Sequence, residues 1–172
     1  KGKVVMSEPN GGETWYVGDT NRKVKWQATG PVPTVRIEYS KNNGGQWTEI
    51  VPDAPAGAGA GEYTWPSVAD AISDQCLIRV SSTGDPTVTD VSNTVFFIKG
   101  KLQVTAPDAN TRWVAGSSGN NITWVRTGSI ANVRIDYAVD GGLFDNPIIA
   151  STNAANQTFT WNNIPTHVSN TY

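Results

Sequence analysis

The sequence has very few of the side chains that carry out catalysis or bind metals. It contains one cysteine, Cys76, and one histidine, His167, in 172 residues. A single cysteine cannot form an internal disulfide. A zinc site needs several Cys or His ligands, and one cysteine and one histidine are too few to complete either such a ligand set or a catalytic triad. We therefore predict no catalytic residue, no cofactor and no metal ligand, and we interpret Cys76 as a buried, unreactive thiol.

Acidic residues are scattered singly, and one loop holds two of them, Asp85 and Asp90. A calcium ion needs several oxygen ligands brought together, and two carboxylates fall short of that number. The alternatives for this loop are a calcium site and ordinary turn chemistry, and the sequence favours the turn.

The sequence also lacks an excess of positive charge and any long apolar run. The formal net charge is −2, from 13 basic and 15 acidic residues. A nucleic-acid-binding protein needs a basic stripe to replace the counterions of the phosphate backbone, so we predict no nucleic-acid partner. No apolar run approaches the length that crosses a bilayer, so we predict no direct membrane span.

What the sequence does contain is an internal repeat. Trp26 has a counterpart in Trp124, 98 positions later, and eight other residues recur at the same interval. They are Pro9, Trp15, Gly18, Gly30, Val35, Arg36, Ile37 and Tyr39, which meet Pro107, Trp113, Gly116, Gly128, Val133, Arg134, Ile135 and Tyr137. A fixed interval of this length predicts two copies of one folding unit, residues 1–100 and 101–172.

The repeated segments have the pattern of β-strands. Apolar and polar residues alternate at 35–39 and again at 133–137, and 7 Trp, 17 Gly and 10 Pro are typical of short strands joined by turns. We predict strands at residues 4–7, 24–26, 35–39, 47–51, 61–65, 75–82, 94–99, 122–124 and 133–137. This density of short strands favours an all-β fold of two tandem antiparallel β-sandwiches of the immunoglobulin or fibronectin type III kind.

These residues carry a family resemblance. The run Pro9-Asn10-Gly11-Gly12-Glu13-Thr14-Trp15, together with Val24-Lys25-Trp26, Tyr63-Thr64-Trp65, Cys76-Leu77-Ile78-Arg79-Val80 and Phe96-Phe97-Ile98, resembles the immunoglobulin-like repeat of large secreted bacterial surface proteins. It is also similar to the N-terminal domain of fungal Kre9/Knh1 cell-wall proteins and of Ser/Thr-rich GPI-anchored proteins. The resemblance implies a secreted or cell-surface location, and modules of this kind serve as spacers, stalks, adhesive domains and companions of secreted hydrolases.

The second unit ends early by comparison with the first. Tyr172 aligns with Cys76, so residues 77–98 of the first unit have no counterpart within the sequence. Two interpretations follow: either the natural chain continues, or strands from a neighbouring molecule complete the sheet.

One motif invites a catalytic interpretation. Residues 40–47 resemble the Asp-box hairpin of sialidases, with Asn42 in the place of the acid and Trp47 beneath the turn. The segment at 138–144 keeps two glycines and Phe144 but lacks the serine. A fold element tolerates that loss, whereas a catalytic element does not, so we interpret the motif as structural.

Three aromatic residues are candidates for a ligand platform. Tyr16, Trp47 and Phe144 would serve as sugar-stacking surfaces if they lay exposed beside polar groups, and the sequence favours hairpin packing instead. Asn121 and Asn156 match the sequon for N-glycosylation, and they are candidate glycosylation sites only if the source organism is eukaryotic.

We expect a non-enzymatic extracellular structural or adhesive module, such as a segment of a cell-surface stalk, adhesin or filament. Its expected partners are neighbouring repeats of the same chain or adjacent subunits, and a cell-surface polysaccharide is a further candidate. The alternative is a carbohydrate-binding accessory module of a secreted glycan-active enzyme or of a cell-wall assembly protein.

Overall fold

A computed structural model describes residues 1–139 and 141–166 of the chain. The chain divides into two compact units, Lys1–Gly100 and Lys101–Tyr172, called unit 1 and unit 2 below. Almost all regular structure in the described residues is β-strand, accompanied by one short 3-10 turn. The all-β class predicted from the sequence is therefore confirmed. No helix in the described part of the chain has the length and apolar character needed to cross a membrane.

Unit 1 consists of nine strands. They are β1 Lys3–Glu8, β2 Thr14–Tyr16, β3 Lys23–Thr29, β4 Thr34–Ser40, β5 Thr48–Pro55, β6 Gly59–Thr64, β7 Ser73–Ser82, β8 Thr89–Val91 and β9 Phe96–Lys99. One sheet has the order β1-β3-β6, and the other has the order β2-β9-β7-β4-β5 with β8 also paired to β7. All these pairings are antiparallel except that of β2 with β9, which is parallel and aligns Trp15 with Ile98.

The core of unit 1 forms from strands that alternate buried and exposed residues. Trp26 on β3 is 1% exposed, and Ile37 on β4 is fully buried. Each of these strands sends every second side chain to the interior because successive residues of a strand point to opposite faces. The buried residues of both sheets meet in one apolar cluster, which gives unit 1 its sandwich-like architecture.

Unit 2 has five strands among the described residues. They are β10 Lys101–Ala106, β11 Asn120–Thr127, β12 Asn132–Tyr137, β13 Asn146–Asn153 and β14 Thr158–Trp161, with a 3-10 turn at Ala154–Asn156. One sheet has the order β10-β11-β14, and the other consists of β12 and β13. A smaller apolar cluster is built on Ile122, Trp124, Val133 and Ala154.

Several contacts of unit 1 have a counterpart in unit 2. The Trp26 Nε1 donates a hydrogen bond to the Ala56 carbonyl at 2.9 Å, and the Trp124 Nε1 donates to the Ala154 carbonyl at 3.0 Å. Edge-to-face aromatic pairs also match: Trp15 and Trp65 have ring centroids 6.2 Å apart, and Trp113 and Trp161 have theirs 6.1 Å apart.

The structure differs from the predicted strands in several respects. Strands β2 and β8 were not predicted because three residues are too few to display a period. Strands β10 and β14 of unit 2 were not among the predicted strands either. Strand β13 was missed because Pro147 and the adjacent Ile148 and Ile149 interrupt the alternation that marks a half-buried strand. Trp47, predicted to begin a strand, lies just before β5.

Candidate functional site

The predicted hairpin motif lies in the turn between β4 and β5. The Ser40 hydroxyl accepts a hydrogen bond from the Gly44 amide at 2.9 Å and donates one to the Asn42 Oδ1 at 2.9 Å. The same Asn42 oxygen accepts the Gln46 amide at 2.8 Å. Asn43 adopts a left-handed φ of 52°, a conformation that asparagine tolerates. These hydrogen bonds join the side chains to one another and to the backbone of the turn, and they hold the turn together.

Trp47 packs against the outer face of the larger sheet of unit 1. The Arg79 guanidinium lies over its ring at 4.3 Å from the centroid. The same guanidinium forms an ion pair with Glu38, with the Arg79 Nη2 and the Glu38 Oε2 at 2.7 Å. A cation over an aromatic ring stabilises the pair by about 0.5–1 kcal/mol at an exposed site. One face of the indole is therefore covered by the protein itself and is closed to a stacking sugar.

A polar groove of about 500 Å³ lies beside this ion pair. It is lined by hydroxyl groups and charges, among them Thr34, Arg36, Glu38, Asp53, Arg79, Ser81 and Thr89. The hydroxyl groups of Ser81 and Thr89 lie 2.8 Å apart and bond to each other. In the described residues no buried side-chain nitrogen or oxygen lacks a hydrogen-bond partner. The groove thus offers exposed polar groups without a buried group aimed at a ligand.

The other two aromatic candidates lie on separate elements. Tyr16 stands on the short strand β2 and is 36% exposed. Phe144 lies between β12 and β13 of unit 2 and is 75% exposed. The three candidates thus belong to three different elements, two of them in unit 1 and one in unit 2.

Phe144 borders an apolar groove of about 380 Å³ in unit 2. The groove also exposes Leu102 at 51% and Val104 at 63%. Their counterparts 98 positions earlier, Val4 and Met6, are 4% and 3% exposed. Sequence reasoning placed Leu102 and Val104 in no site, although the repeat interval already aligned them with inward-facing residues of the first unit.

The carboxylates considered for calcium accept hydrogen bonds from other residues of unit 1. Asp85 accepts hydrogen bonds from the Thr87 hydroxyl at 2.6 Å and the Thr87 amide at 3.1 Å, and these bonds hold the pKa of Asp85 below its usual value. Asp90 accepts the Met6 amide at 2.8 Å. Among residues 1–139 and 141–166 no group of three or more His, Cys, Asp or Glu side chains is placed to hold a metal ion.

Both asparagines of the sequons are exposed. Asn121 on β11 accepts a hydrogen bond from the Thr160 hydroxyl at 2.8 Å, and Asn156 ends the 3-10 turn. Their side chains are accessible from solvent, as a glycan would require. His167 lies outside the described residues.

Cys76 is fully buried on β7. Its thiol lies 3.6 Å from the Ser73 carbonyl and 3.8 Å from the Ala71 carbonyl. Burial raises the pKa of the Cys76 thiol above its ordinary value, because a thiolate is poorly solvated in an apolar interior.

We expect Cys76 to resist thiol reagents in the folded protein. Labelling by a disulfide reagent near neutral pH should be at least about 100-fold slower than in denaturant, since opening of a buried site costs a few kcal/mol. The absorbance of the released aromatic thiol measures both rates. Rapid stoichiometric labelling of the native protein would show that the thiol is accessible.

Comparisons with known proteins assign no family. No protein-family model matches the sequence, and no curated protein matches it. The fold and the surfaces together define a two-unit all-β protein of sandwich-like architecture, with a polar groove in unit 1 and an apolar groove in unit 2.

Proposed function

We propose that the protein is a non-enzymatic extracellular module with a structural or adhesive role, built from two immunoglobulin-like repeats. In this role it forms part of a cell-surface stalk, adhesin or filament, and its partners are adjacent repeats or subunits. The proposal assigns no catalytic residue, cofactor or metal to the chain.

One observation carries the proposal: the contacts that occur inside both units, at equivalent positions, belong to the apolar core and the residues packed against it. The indole hydrogen bonds of Trp26 and Trp124 are one example. The aromatic contacts of Tyr39 with Trp65, at 5.1 Å between centroids, and of Tyr137 with Trp161, at 5.2 Å, are another. Aromatic contacts that pack against an apolar core in this way stabilise a fold.

The surface features differ between the units. Trp47 is covered by Arg79, whereas Phe144, at the corresponding turn, is 75% exposed. A site shared by both repeats would need similar exposed groups in both units, and these two positions do not supply them. A duplicated scaffold requires only the common core, which is the pattern observed.

The second candidate function is carbohydrate binding. It is supported by the polar groove of unit 1, whose hydroxyl, carboxylate and guanidinium groups are the types that bond sugar hydroxyls. Tyr16, at 36% exposure, is the candidate stacking residue of that unit, because one face of Trp47 is already covered.

Binding to insoluble polysaccharides separates the two functions. We expect the protein to remain in the supernatant after incubation with chitin, cellulose, β-glucan or peptidoglycan. Retention on any of these that is lost in Tyr16→Ala, Trp47→Ala or Phe144→Ala, with an unchanged melting temperature, would replace the structural role by the carbohydrate-binding one. Val114→Ala is the matched control, because Val114 is 74% exposed and lines neither groove.

A further inference from the structure

The sequence contains two Asn-Gly pairs, Asn10-Gly11 and Asn43-Gly44, and the structure holds them differently. Asparagine followed by glycine is prone to spontaneous deamidation, because glycine has no side chain to hinder attack by its own backbone nitrogen on the asparagine side chain. The reaction involves two groups: the glycine nitrogen, which is the nucleophile, and the asparagine Cγ, which is attacked. The hydrogen bonds of these two groups therefore decide which pair reacts.

At Asn10 both reacting groups are held. The Gly11 amide donates to the Glu13 Oε2 at 2.8 Å, and the Asn10 backbone amide donates to the Oε1 of the same carboxylate at 2.8 Å. The Asn10 Oδ1 accepts the backbone amide of Asn93, 83 positions away in the chain, at 2.8 Å. Bonds to a carboxylate are stronger than bonds between neutral groups. Approach of the Gly11 nitrogen to the Asn10 side chain therefore requires several bonds to break at once.

At Asn43 the nucleophile is held and the side chain is not. Asn43 and Gly44 lie in the turn between β4 and β5, with φ of 52° and 86°. The Gly44 amide donates to the Ser40 Oγ at 2.9 Å. The Asn43 backbone amide donates to the Gln75 carbonyl at 2.8 Å, while its exposed side chain forms no hydrogen bond with the part of the chain that the structure describes. One bond between neutral groups thus restrains the nucleophile of this pair.

We propose that Asn43 is a site of spontaneous deamidation in the folded protein and that the Ser40 hydroxyl controls its rate. The Gly44 nitrogen attacks the Asn43 Cγ and forms a new N–Cγ bond. The bond between Cγ and the side-chain nitrogen breaks, and ammonia leaves with the proton of the Gly44 amide. Water then opens the five-membered imide at either carbonyl and gives aspartate or isoaspartate. The balance is one water in and one ammonia out, and it is independent of the proposed structural role.

Ser40 acts as a positioning residue by engaging the nucleophile. It is 1% exposed, so its hydroxyl is shielded from solvent. The hydroxyl also donates to the Asn42 Oδ1 at 2.9 Å, which fixes it beneath the Gly44 amide. The Gly44 nitrogen must leave the Ser40 Oγ before it can approach the Asn43 Cγ. The reaction therefore proceeds from a locally opened turn, and a surface turn opens at a lower free energy than the apolar core.

Deamidation changes both the charge and the backbone of this turn. The new carboxylate adds one negative charge to a chain whose formal net charge is −2. The isoaspartate product also inserts an additional methylene into the main chain between β4 and β5, which pair with Tyr39 opposite Thr48. The modified protein is therefore separable from the original one by charge.

The test follows both pairs in the full chain, folded and in urea, in mildly alkaline buffer. Cleavage after glutamate releases the segments 39–49 and 1–13, and mass spectrometry with chromatography identifies aspartate and isoaspartate at each asparagine. In urea we expect similar rates, because the same dipeptide is exposed at both places. In the folded protein Asn43 should react at least about 10-fold faster than Asn10. Asn43→Gln, which would have to close a less favourable six-membered ring, should remove the product from 39–49.

A pair of variants tests the control by Ser40. Ser40→Ala removes the acceptor and should speed deamidation of Asn43 in the folded protein by about 3–10-fold, the factor expected for one hydrogen bond, with no change in urea. Asn42→Ala is the matched control, because it removes the bonds of the Asn42 Oδ1 but keeps the bond from the Gly44 amide to Ser40. It should speed the reaction less than Ser40→Ala does. Asn10 reports global destabilisation in both variants and should keep its rate.

Four results would overturn the proposal. Equal rates at Asn10 and Asn43 in the folded protein would show that the hydrogen bonds of the pairs do not set their reactivity. No product at Asn43 over a period that converts both pairs in urea would show that the turn is closed to the reaction. An Asn43 rate that Ser40→Ala leaves unchanged, or raises no more than Asn42→Ala does, would remove Ser40 from its control. An equal rise at Asn10 in Ser40→Ala would assign the effect to unfolding instead.

Discussion

Replacement of Trp26 by alanine is expected to lower the free energy of unfolding of unit 1 by about 3–5 kcal/mol. The indole is 1% exposed at the centre of the apolar cluster, and its Nε1 bonds to the buried Ala56 carbonyl at 2.9 Å. The substitution leaves a cavity and an unsatisfied carbonyl, and both effects destabilise the folded state. Denaturant unfolding followed by circular dichroism measures the loss.

Two comparisons make the Trp26 prediction specific. Trp47→Ala should cost less than Trp26→Ala, because Trp47 is only partly buried and packs at the surface against the Arg79 guanidinium. Trp124→Ala should cost less than Trp26→Ala, since Trp124 already borders an open groove where its neighbours can relax. Equal losses at Trp26 and Trp47 would mean that burial does not govern the stability of these indoles.

Gly61→Ala is expected to destabilise unit 1 by about 1–3 kcal/mol or more through overpacking. Gly61 on β6 lies opposite Trp26 in the ladder. An added Cβ would lie 2.3 Å from the Ala56 carbonyl oxygen and 2.3 Å from the Trp26 Nε1. Displacing either group costs free energy, because one is a backbone carbonyl and the other is a buried ring. The added methyl group would also separate the Trp26 Nε1 from the Ala56 carbonyl oxygen and so break their hydrogen bond.

Gly84→Ala is the control for the Gly61 substitution. No atom lies within 4 Å of a Cβ built at Gly84, so this change should alter the free energy of unfolding by less than about 0.5 kcal/mol. Thermal unfolding of the two variants side by side measures the difference. If the Gly61→Ala protein were as stable as the Gly84→Ala protein, β6 would not lie as close to the Trp26 ring as the structure places it.

The strands that sequence analysis recognised are those with one face in the core. In β3 and β4 the apolar side chains fall on alternate residues because the sandwich interior selects them, so the period of two is visible in the sequence. Strand β2 has only three residues, and its place is fixed by pairing with β9, which lies about 80 positions later in the chain. Pairing at that separation leaves no local signal.

The exposure of the candidate aromatics could not be predicted for the same reason. Trp47 is covered by Arg79, a residue of another strand, and the sequence carries no sign of that contact. The local hydrogen bonds of Ser40 and Asn42 could be anticipated, because turn chemistry acts between residues two to four positions apart. Leu102 and Val104 were aligned with buried residues, yet their exposure depends on which strands cover them.

The parallel pairing of β2 with β9 has a mechanical consequence. Tension that reaches β2 from its N-terminal side and β9 from its C-terminal side pulls the two strands in opposite directions along their length. The aligned pairs Thr14 with Phe97, Trp15 with Ile98 and Tyr16 with Lys99 then carry the load together rather than opening one after another. The Val17 amide, bonded to the Lys99 carbonyl at 3.0 Å, extends this shear-loaded patch by one residue. Under such a pull, rupture of unit 1 requires several hydrogen bonds to break in one step, and resistance to force is then set by the unfolding rate.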